Sequence, residues 1–321
     1  MTPDFNVRPF NPSPAEYEAI VQVYNSDYPN EAGSASQWRH WDEHRDPKRM
    51  FSRYVMEHGG EIVGYGFSMR VDPAANKFRF AIYLFPRWRT PDVIDAFYRY
   101  IVAQCVQHAP AALICRTMED HLTKNAWLIE NGFEEVMRYP RSILPLVGFD
   151  ATLFSDVEAR IAAAGIEIIS VAELATREPD WQRRVYELEM LLTQDVPMPT
   201  TFHPPPFDLY VQREFNDPDF MPQWWVVAVN NDQLVGTSCV FKLGGGLETV
   251  ETGLTGVHRD YRRQGLATAL KCQVMKRVQE QGVRRIITYN EANNPMYQLN
   301  LRLGFQPQPQ EIDWQKSPPY D

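Results

Sequence analysis

Apolar and polar positions along the chain follow two periods, one typical of strands and one typical of helices. Residues 51–57, 61–70 and 77–85 alternate with a period of two and predict three successive strands. From about residue 91 to 107, apolar positions recur three and four residues apart, which predicts an amphipathic helix. Strands and helices mixed in this way predict an α/β sandwich with mixed sheets.

The same two periods predict the other elements of each half. In the first half, strands are predicted at 7–9 and 112–116, helices at 14–25, 36–44 and 122–130, and two closing strands complete the half. In the second half, strands are predicted at 166–170, 224–230, 233–243, 247–257 and 284–290, with helices at 181–194, 207–215, 266–281 and 295–303 and short closing strands. Residues 147–160 join the two halves.

Three landmarks recur at a nearly constant distance along the chain, which indicates a duplicated unit. A hairpin-type turn, an x-Gly-Phe step and the end of a strand are each found twice, 172 or 173 residues apart. The matching pairs are Gly59 with Asn231, Asn131 with Leu303, and Leu84 with Val257. We therefore predict two domains, residues 1–148 and 149–321.

Composition and length are consistent with two domains that bury real cores. The 321 residues are 44% hydrophobic and 12% aromatic, and the net charge of −9 argues against a general nucleic-acid binder. The four cysteines are scattered, with no Cys-x-x-Cys pair and no cluster of histidines, so neither a disulfide framework nor a metal site is expected. The first residues carry no signal-peptide pattern, and no apolar run approaches about 20 residues, so we expect a soluble, cytoplasmic protein that does not bind membranes. A monomer, as a pseudo-dimer of its two halves, and a homodimer both remain open.

Residues 252–267 combine a β-prone run, a basic turn and the start of a helix. Gly265 closes the turn, and a glycine lets the backbone approach an anion closely. The first amides of a helix have no internal acceptor, and the helix dipole adds partial positive charge there. The segment is therefore either an anion-binding turn or an ordinary strand-to-helix connection with solvated arginines.

A resemblance favours the anion-binding turn. The pattern Arg-x-x-Gly-x-Ala at 262–267, preceded by Val257, resembles the acetyl-CoA pyrophosphate loop of the GCN5-related N-acetyltransferase (GNAT) superfamily. Downstream, Asn293-x-x-Met296 followed by Leu303-Gly304-Phe305 resembles the last helix of that family and its exit into the next strand. The resemblance implies two tandem acyl-CoA N-acyltransferase-like domains of mixed-sheet α+β fold. It also implies acetyl-CoA as cosubstrate, with these contacts: Leu254, Thr255, Gly256, Val257, Arg262, Arg263, Gln264, Gly265, Leu266, Ala267, Thr268, Asn293 and Asn300.

The resemblance also implies candidate catalytic residues. Glu251 occupies the position of a general-base glutamate in the family, although an exposed strand glutamate or a group that only binds a cationic substrate would look the same. Asn300 replaces the tyrosine that many members use as general acid, and an asparagine cannot deliver a proton. Tyr297, one helical turn earlier, is a candidate substitute. The general acid is left unassigned. For Asn293, contact with the pantetheine arm and capping of the last helix are alternative roles.

The loop from Asp195 to Phe207 overlies the acceptor site in such a fold. We expect its five prolines to stiffen it into a fixed wall of that site. Asp195 is a candidate partner for an ammonium group. The alternative is a spacer loop that packs on the protein's own surface.

In the first half, Asp92 stands where Gly265 would be and places a carboxylate where a diphosphate would bind. We therefore predict a degenerate, non-catalytic first domain and a catalytic second one.

The leading hypothesis is an acetyl-CoA-dependent N-acetyltransferase that moves an acetyl group to a primary amine of a small molecule in a ternary complex. No serine or cysteine is set beside a base, so no acyl-enzyme is expected. A non-catalytic CoA-binding sensor and an acetyltransferase for protein or peptide amines are the alternatives.

Overall fold

The computed structural model describes residues 4–196, 202–244, 246–290 and 294–320. Contacts divide the chain into two compact units. The first unit contains the chain up to Pro140 together with the residues from Pro309 onwards, and the second contains residues from Arg141 to Gln308. The division thus differs from the predicted ranges in two places, at residues 141–148 and at the C-terminal segment.

In its described residues, the first unit is a six-stranded mixed sheet with four α-helices. Its sheet order is β1-β2-β3-β4-β5-β12, and all neighbours are antiparallel except β4 and β5. The elements are β1 (Asn6–Pro9), α1 (Pro14–Asp27), α2 (Ala35–Glu43), β2 (Ser52–His58), β3 (Glu61–Asp72), β4 (Lys77–Leu84), α3 (Pro91–Val106), β5 (Ala112–Met118) and α4 (Leu122–Glu130), with β12 (Gln306–Lys316) from the end of the chain.

The second unit repeats this order of elements. Its sheet order is β7-β8-β9-β10-β11-β6, with only β10 and β11 parallel. The elements are β6 (Glu134–Pro145), α5 (Ser155–Ala163), β7 (Glu167–Ser170), α6 (Val171–Arg177), α7 (Trp181–Thr193), α8 (Phe207–Tyr210), β8 (Trp225–Asn230), β9 (Gln233–Lys242), β10 (Thr249–Val257), α9 (Leu266–Glu280), β11 (Arg285–Tyr289) and α10 (Pro295–Arg302). Residues 211–215 continue α8 as one π-helical turn.

Both predicted hairpin turns are confirmed. Gly59-Gly60 connects β2 to β3 with φ of 61° and 83°, and Asn231-Asp232 connects β8 to β9 with φ of 44° and 64°. Two consecutive positive φ values give a turn whose twist matches that of the flanking strands. Glycine and asparagine tolerate this conformation best, so their presence in the sequence indicates both turns.

The last strand of each sheet differs from the prediction. We expected each half to close with strands of its own, but Arg141–Pro145 of β6 pairs with β11, and Glu311–Lys316 of β12 pairs with β5. The period of a strand determines which side chains face the core, and it does not determine the neighbouring strand. The predicted closing strands therefore exist, but each pairs in the sheet of the other half.

The sheet of the second unit is covered by helices on both faces. Leu270 and Met275 of α9 pack on one face against buried side chains such as Val240, and Leu188 of α7 packs on the other against Trp225. Each fully buried side chain of this size contributes roughly 1.5–3 kcal/mol. All four cysteines are buried, as expected for packing residues. Among the described residues, no helix is both long enough and apolar enough to cross a membrane.

Candidate active site

Strand β10 carries a bulge in the middle of its pairing with β9. Thr252 pairs with Val240 and Thr255 pairs with Ser238, so β10 has one residue more than its partner between these pairs. A Cβ on Gly253 would lie 2.3 Å from the Phe241 ring, so only glycine fits at the bulge. The bulge redirects the main-chain groups of the strand.

β10 also separates from β11 at the same level. Their parallel pairing covers Thr249–Glu251, with Glu251 opposite Ile287 as its last pair among the described residues. From Thr252 onwards β10 is paired with β9 alone within that part of the chain. An edge of the strand is thus open where Leu254, Thr255 and Gly256 lie, and an extended ligand can lie along it as an additional strand would.

The turn after β10 leads into a helix start that no side chain caps. Arg263 and Gly265 both have positive φ, 61° and 91°. Gly265 is the N-cap of α9 and has no side chain, so among the described residues no cap side chain accepts from the N–H groups of the first turn. A Cβ on Gly265 would lie 2.9 Å from Cγ1 of Val157, which makes glycine necessary for space as well as for conformation.

The open edge and the helix start border one cavity of about 530 Å³. Three arginines and one aspartate supply its charged lining. Leu254 and Val257 lie along its strand side, and the first turn of α9 lies at its other end. The lining residues are Leu192, Asp195, Val196, Leu254, Thr255, Gly256, Val257, Tyr261, Arg262, Arg263, Gly265, Leu266, Ala267, Thr268, Asn294, Pro295, Met296, Leu299 and Arg302.

Asp195 at the end of α7 holds two arginines of the turn. Its carboxylate pairs with Arg259 and Arg262, each at 2.5 Å, and these guanidinium groups hold the pKa of the Asp195 carboxyl well below its usual range. Arg262 also donates from Nε to the carbonyl of Val257 at 2.9 Å. The candidate role of Asp195 as partner of an acceptor ammonium is therefore replaced by that of an anchor for the basic turn.

Comparison with known proteins agrees with this geometry. Residues 183–305 match the acetyltransferase (GNAT) family. The solved structures that the chain resembles include a tandem GNAT protein from the clavulanic acid biosynthesis pathway, with a TM-score of 0.74, 19% identity, and coverage of 99% of this chain and 100% of that one. Residues 183–305 thus match the GNAT family, and the chain as a whole shares the fold of a tandem GNAT protein.

Two further solved structures show the same fold across nearly the whole chain. A GCN5-related N-acetyltransferase from Sphaerobacter thermophilus gives a TM-score of 0.65 at 19% identity and covers 98% of this chain and 95% of that one. A GCN5-related glucosamine N-acetyltransferase region of a fungal multi-domain β-N-acetylglucosaminidase gives 0.68 at 11% identity and covers 98% of this chain and 38% of that one. No curated protein matches. Identities this low show the GNAT fold and leave the substrate open.

The structure brings most of the predicted coenzyme contacts together, since ten of them line the cavity: Leu254, Thr255, Gly256, Val257, Arg262, Arg263, Gly265, Leu266, Ala267 and Thr268. Gln264 is exposed beside the turn and is not part of the lining. Asn293 lies outside the described residues. The cap of α10 is Asn294, whose side chain accepts from the N–H of Met296 at 2.9 Å. Capping, one of the two roles considered for Asn293, is thus performed by its neighbour.

The three candidate catalytic residues lie in different surroundings. Glu251 is half-buried at the last β10–β11 pair, where the strands separate. Tyr297 is half-buried on α10 and is not part of the cavity lining. Asn300 is fully buried, and its Nδ2 donates to Oδ1 of Asn290 at 2.7 Å. The Asn300 side chain is thus turned into the protein, one helical turn beyond the cavity residue Met296.

The equivalent turn of the first unit lacks the features of an open anion site. Its helix α3 begins with Pro91, which has no N–H, and Asp92 adds a carboxylate in the first turn. Arg89, in the turn, donates to the carbonyl of Leu84 at 2.9 Å and pairs with Asp27 at 3.0 Å. Within the described part of the first unit, the counterparts of the basic turn and uncapped helix start are therefore absent or already paired.

A buried acid beside the candidate site was not anticipated. Glu189 of α7 is 8% exposed, and its Oε2 accepts a hydrogen bond from the Tyr210 hydroxyl at 2.6 Å. Burial raises the pKa of the Glu189 carboxyl to about 8. The signal is present in the sequence, because Glu189 falls within the apolar stripe formed by Val185, Leu188 and Leu192.

Proposed function

We propose that the second unit transfers an acetyl group from acetyl-CoA to a primary amine of a small molecule, in a ternary complex and without an acyl-enzyme. The cavity that joins the open edge of β10 to the uncapped start of α9 carries this proposal. Its two ends match the two parts of the coenzyme, because an extended pantetheine arm fits a strand edge and a diphosphate fits a helix N-terminus.

The residues present fit the diphosphate in charge as well as in shape. The first-turn amides of α9 are donors that no cap side chain occupies in the described part of the chain, and Arg263 and Arg302 add positive charge at the cavity. Arg262 is held in place by Asp195 and by the carbonyl of Val257. Such a preorganised set binds an anion without first having to be ordered.

The acetyl transfer itself takes place at the β10 bulge. Main-chain N–H groups near Gly253 and Leu254 polarise the thioester carbonyl, in a site already shaped before the ligand binds. Glu251, at the point where the strands separate, accepts the proton that the ammonium must lose before its nitrogen attacks. The new C–N bond forms as the C–S bond breaks. The nitrogen releases its second proton to solvent, and the sulfur leaves as a thiolate that takes a proton from solvent.

Titration calorimetry with acetyl-CoA tests the proposal. The Gly265→Asp variant puts a carboxylate and a Cβ at the start of α9, and we expect it to abolish the single strong site. Gly282→Asp is the matched control, because Gly282 follows the other end of α9, has a similar φ of +84°, and a Cβ at that position would meet no atom within 4 Å. Unaltered binding in the Gly265 variant would contradict the assignment.

A CoA-binding sensor without turnover is the second candidate. The complete burial of Asn300 favours it, because no proton donor occupies the position where many GNAT members have a tyrosine. A screen of small amines with a free-thiol readout separates the two functions. Release of CoA that depends on one acceptor supports the enzyme, and tight binding without release from any acceptor supports the sensor.

A further inference from the structure

The first unit contains a small cavity of its own, of about 230 Å³. It lies between the end of β4 and the start of α4, where Leu84 and Ile94 form an apolar wall. At the roughly 30 Å³ that each molecule occupies in liquid water, this volume holds about eight non-hydrogen atoms. The cavity is too small for a coenzyme and large enough for a small metabolite.

A buried carboxylate with three basic neighbours forms the polar side of the cavity. The side chain of Asp27 is 2% exposed, and its carboxylate lies 3.0 Å from Arg89, 3.6 Å from Lys124 and 3.8 Å from Nε2 of His121. Burial lowers the pKa of His121 to about 4, so its imidazole is neutral at pH 7. Asp120 also lines the cavity, so its charged lining consists of Arg89, Lys124 and two carboxylates.

Several polar atoms of this cluster have no hydrogen-bond partner among the described residues. Oδ2 of Asp27 and Nδ1 of His121 are buried without one. The closest polar contact of the Lys124 ammonium is the 3.6 Å ion pair with Asp27, which is longer than a hydrogen bond. The N–H groups of Thr123 and Lys124 lie in the first turn of α4, and its N-cap residue, His121, makes no side-chain cap hydrogen bond.

Buried polar atoms are nearly always satisfied, so such a set points to a ligand. The amides of α4 and the Lys124 ammonium are donors directed at an acidic group. Oδ2 of Asp27, 3.6 Å from that ammonium, is an acceptor that can take a hydrogen bond from a ligand donor. These donors and this acceptor line the same cavity, so one small molecule can pair with both.

We propose that this cavity binds a small acid with a hydrogen-bond donor next to its carboxylate, that is, an α-amino or α-hydroxy acid. The carboxylate lies against the Thr123 and Lys124 amides and the Lys124 ammonium. The amino or hydroxyl group donates to Asp27, and a short side chain packs on Leu84 and Ile94. This site is independent of the transfer proposed for the second unit, because all its residues belong to the first unit.

An NMR titration of the full chain tests the site without any activity measurement. The probes are L-alanine, L-lactate and propionate, and the readout is the shift of the Thr123 and Lys124 amide resonances. We expect saturable shifts with L-alanine or L-lactate and binding about tenfold weaker with propionate, which lacks the donor for Asp27. Equal binding of all three acids, or no saturable shift with any of them, would overturn the proposal.

Two variants locate the ligand, and one serves as control. Lys124→Met is expected to remove binding, and Arg99→Met, at an exposed ion pair on α3, is expected to leave it unchanged. Asp27→Ala removes the acceptor and is expected to reduce the preference for L-alanine over propionate about tenfold, even if overall affinity changes. An unchanged preference in that variant, or displacement of the acids by acetyl-CoA alone, would also overturn the proposal.

Discussion

The buried Glu189 of the second unit gives a sharp prediction about stability and pH. The carboxyl has an ordinary pKa of 4.5 and a pKa of about 8 in the folded protein, because burial disfavours its charged form. Between these two values the folded state keeps a proton that the unfolded state has released. Stability must therefore fall as pH rises through this window, by up to about 1.4 kcal/mol per pH unit.

Glu189→Gln removes this titration and keeps an oxygen that accepts from the Tyr210 hydroxyl. Over the whole window the wild type loses up to about 5 kcal/mol relative to the variant, and the difference levels off above about pH 8. Glu214, also buried with a raised pKa, titrates in the same direction, so the variant removes only part of the slope.

Urea unfolding at several pH values between about 5 and 9 measures the effect, with circular dichroism as the probe. Glu187→Gln is the matched control, because Glu187 is exposed on the same helix. The control must follow the wild type at every pH. Parallel curves for wild type and Glu189→Gln would refute the reasoning, since they would mean that Glu189 titrates alike in both states.

Three further substitutions probe the second unit. Asp195→Asn removes a carboxylate from the cavity, while the carbonyl of Val257 still holds Arg262, so acetyl-CoA should bind about two- to fivefold more tightly at low salt, with weaker binding as the contrary result in calorimetry. Lys271→Met replaces a lysine that is 3% exposed and whose pKa is lowered to about 8 by burial. At pH 7 the free energy of unfolding of the variant should be up to about 3 kcal/mol higher than that of the wild type. This difference must vanish as the pH rises to about 10.5. Gly253→Ala places a methyl group against the Phe241 ring, so we expect the free energy of unfolding to fall by about 1–3 kcal/mol and kcat to fall as well. An unaltered kcat would mean that the bulge takes no part in the transfer.

The parts of the site that are local in sequence could be predicted from the sequence. The β10 turn and the start of α9 depend on Gly265 and on a change from a period of two to a period of 3.6, and both can be seen along the chain. A glycine inside a strand pattern indicates a possible bulge, and Gly253 is the glycine at this bulge. These features are fixed by the backbone preferences of the residues themselves.

Features that depend on distant partners could not be predicted. Asp195 lies 64 residues from Arg259, and nothing in the spacing indicates that the two pair. The strand β6 has the pattern of a strand in any sheet, so its pairing with β11 depends on the tertiary fold. Helix α6 is a different case, because it is absent from the prediction although its capping box of Ser170 and Glu173 is visible in the sequence.

A crystal structure of the complex with acetyl-CoA tests the central claim most directly. We expect the diphosphate against the N–H groups of residues 265–268 and the pantetheine arm along Leu254–Val257, with the thioester next to the bulge at Gly253. A coenzyme bound only in the first unit, or a diphosphate held away from the start of α9, would contradict the account.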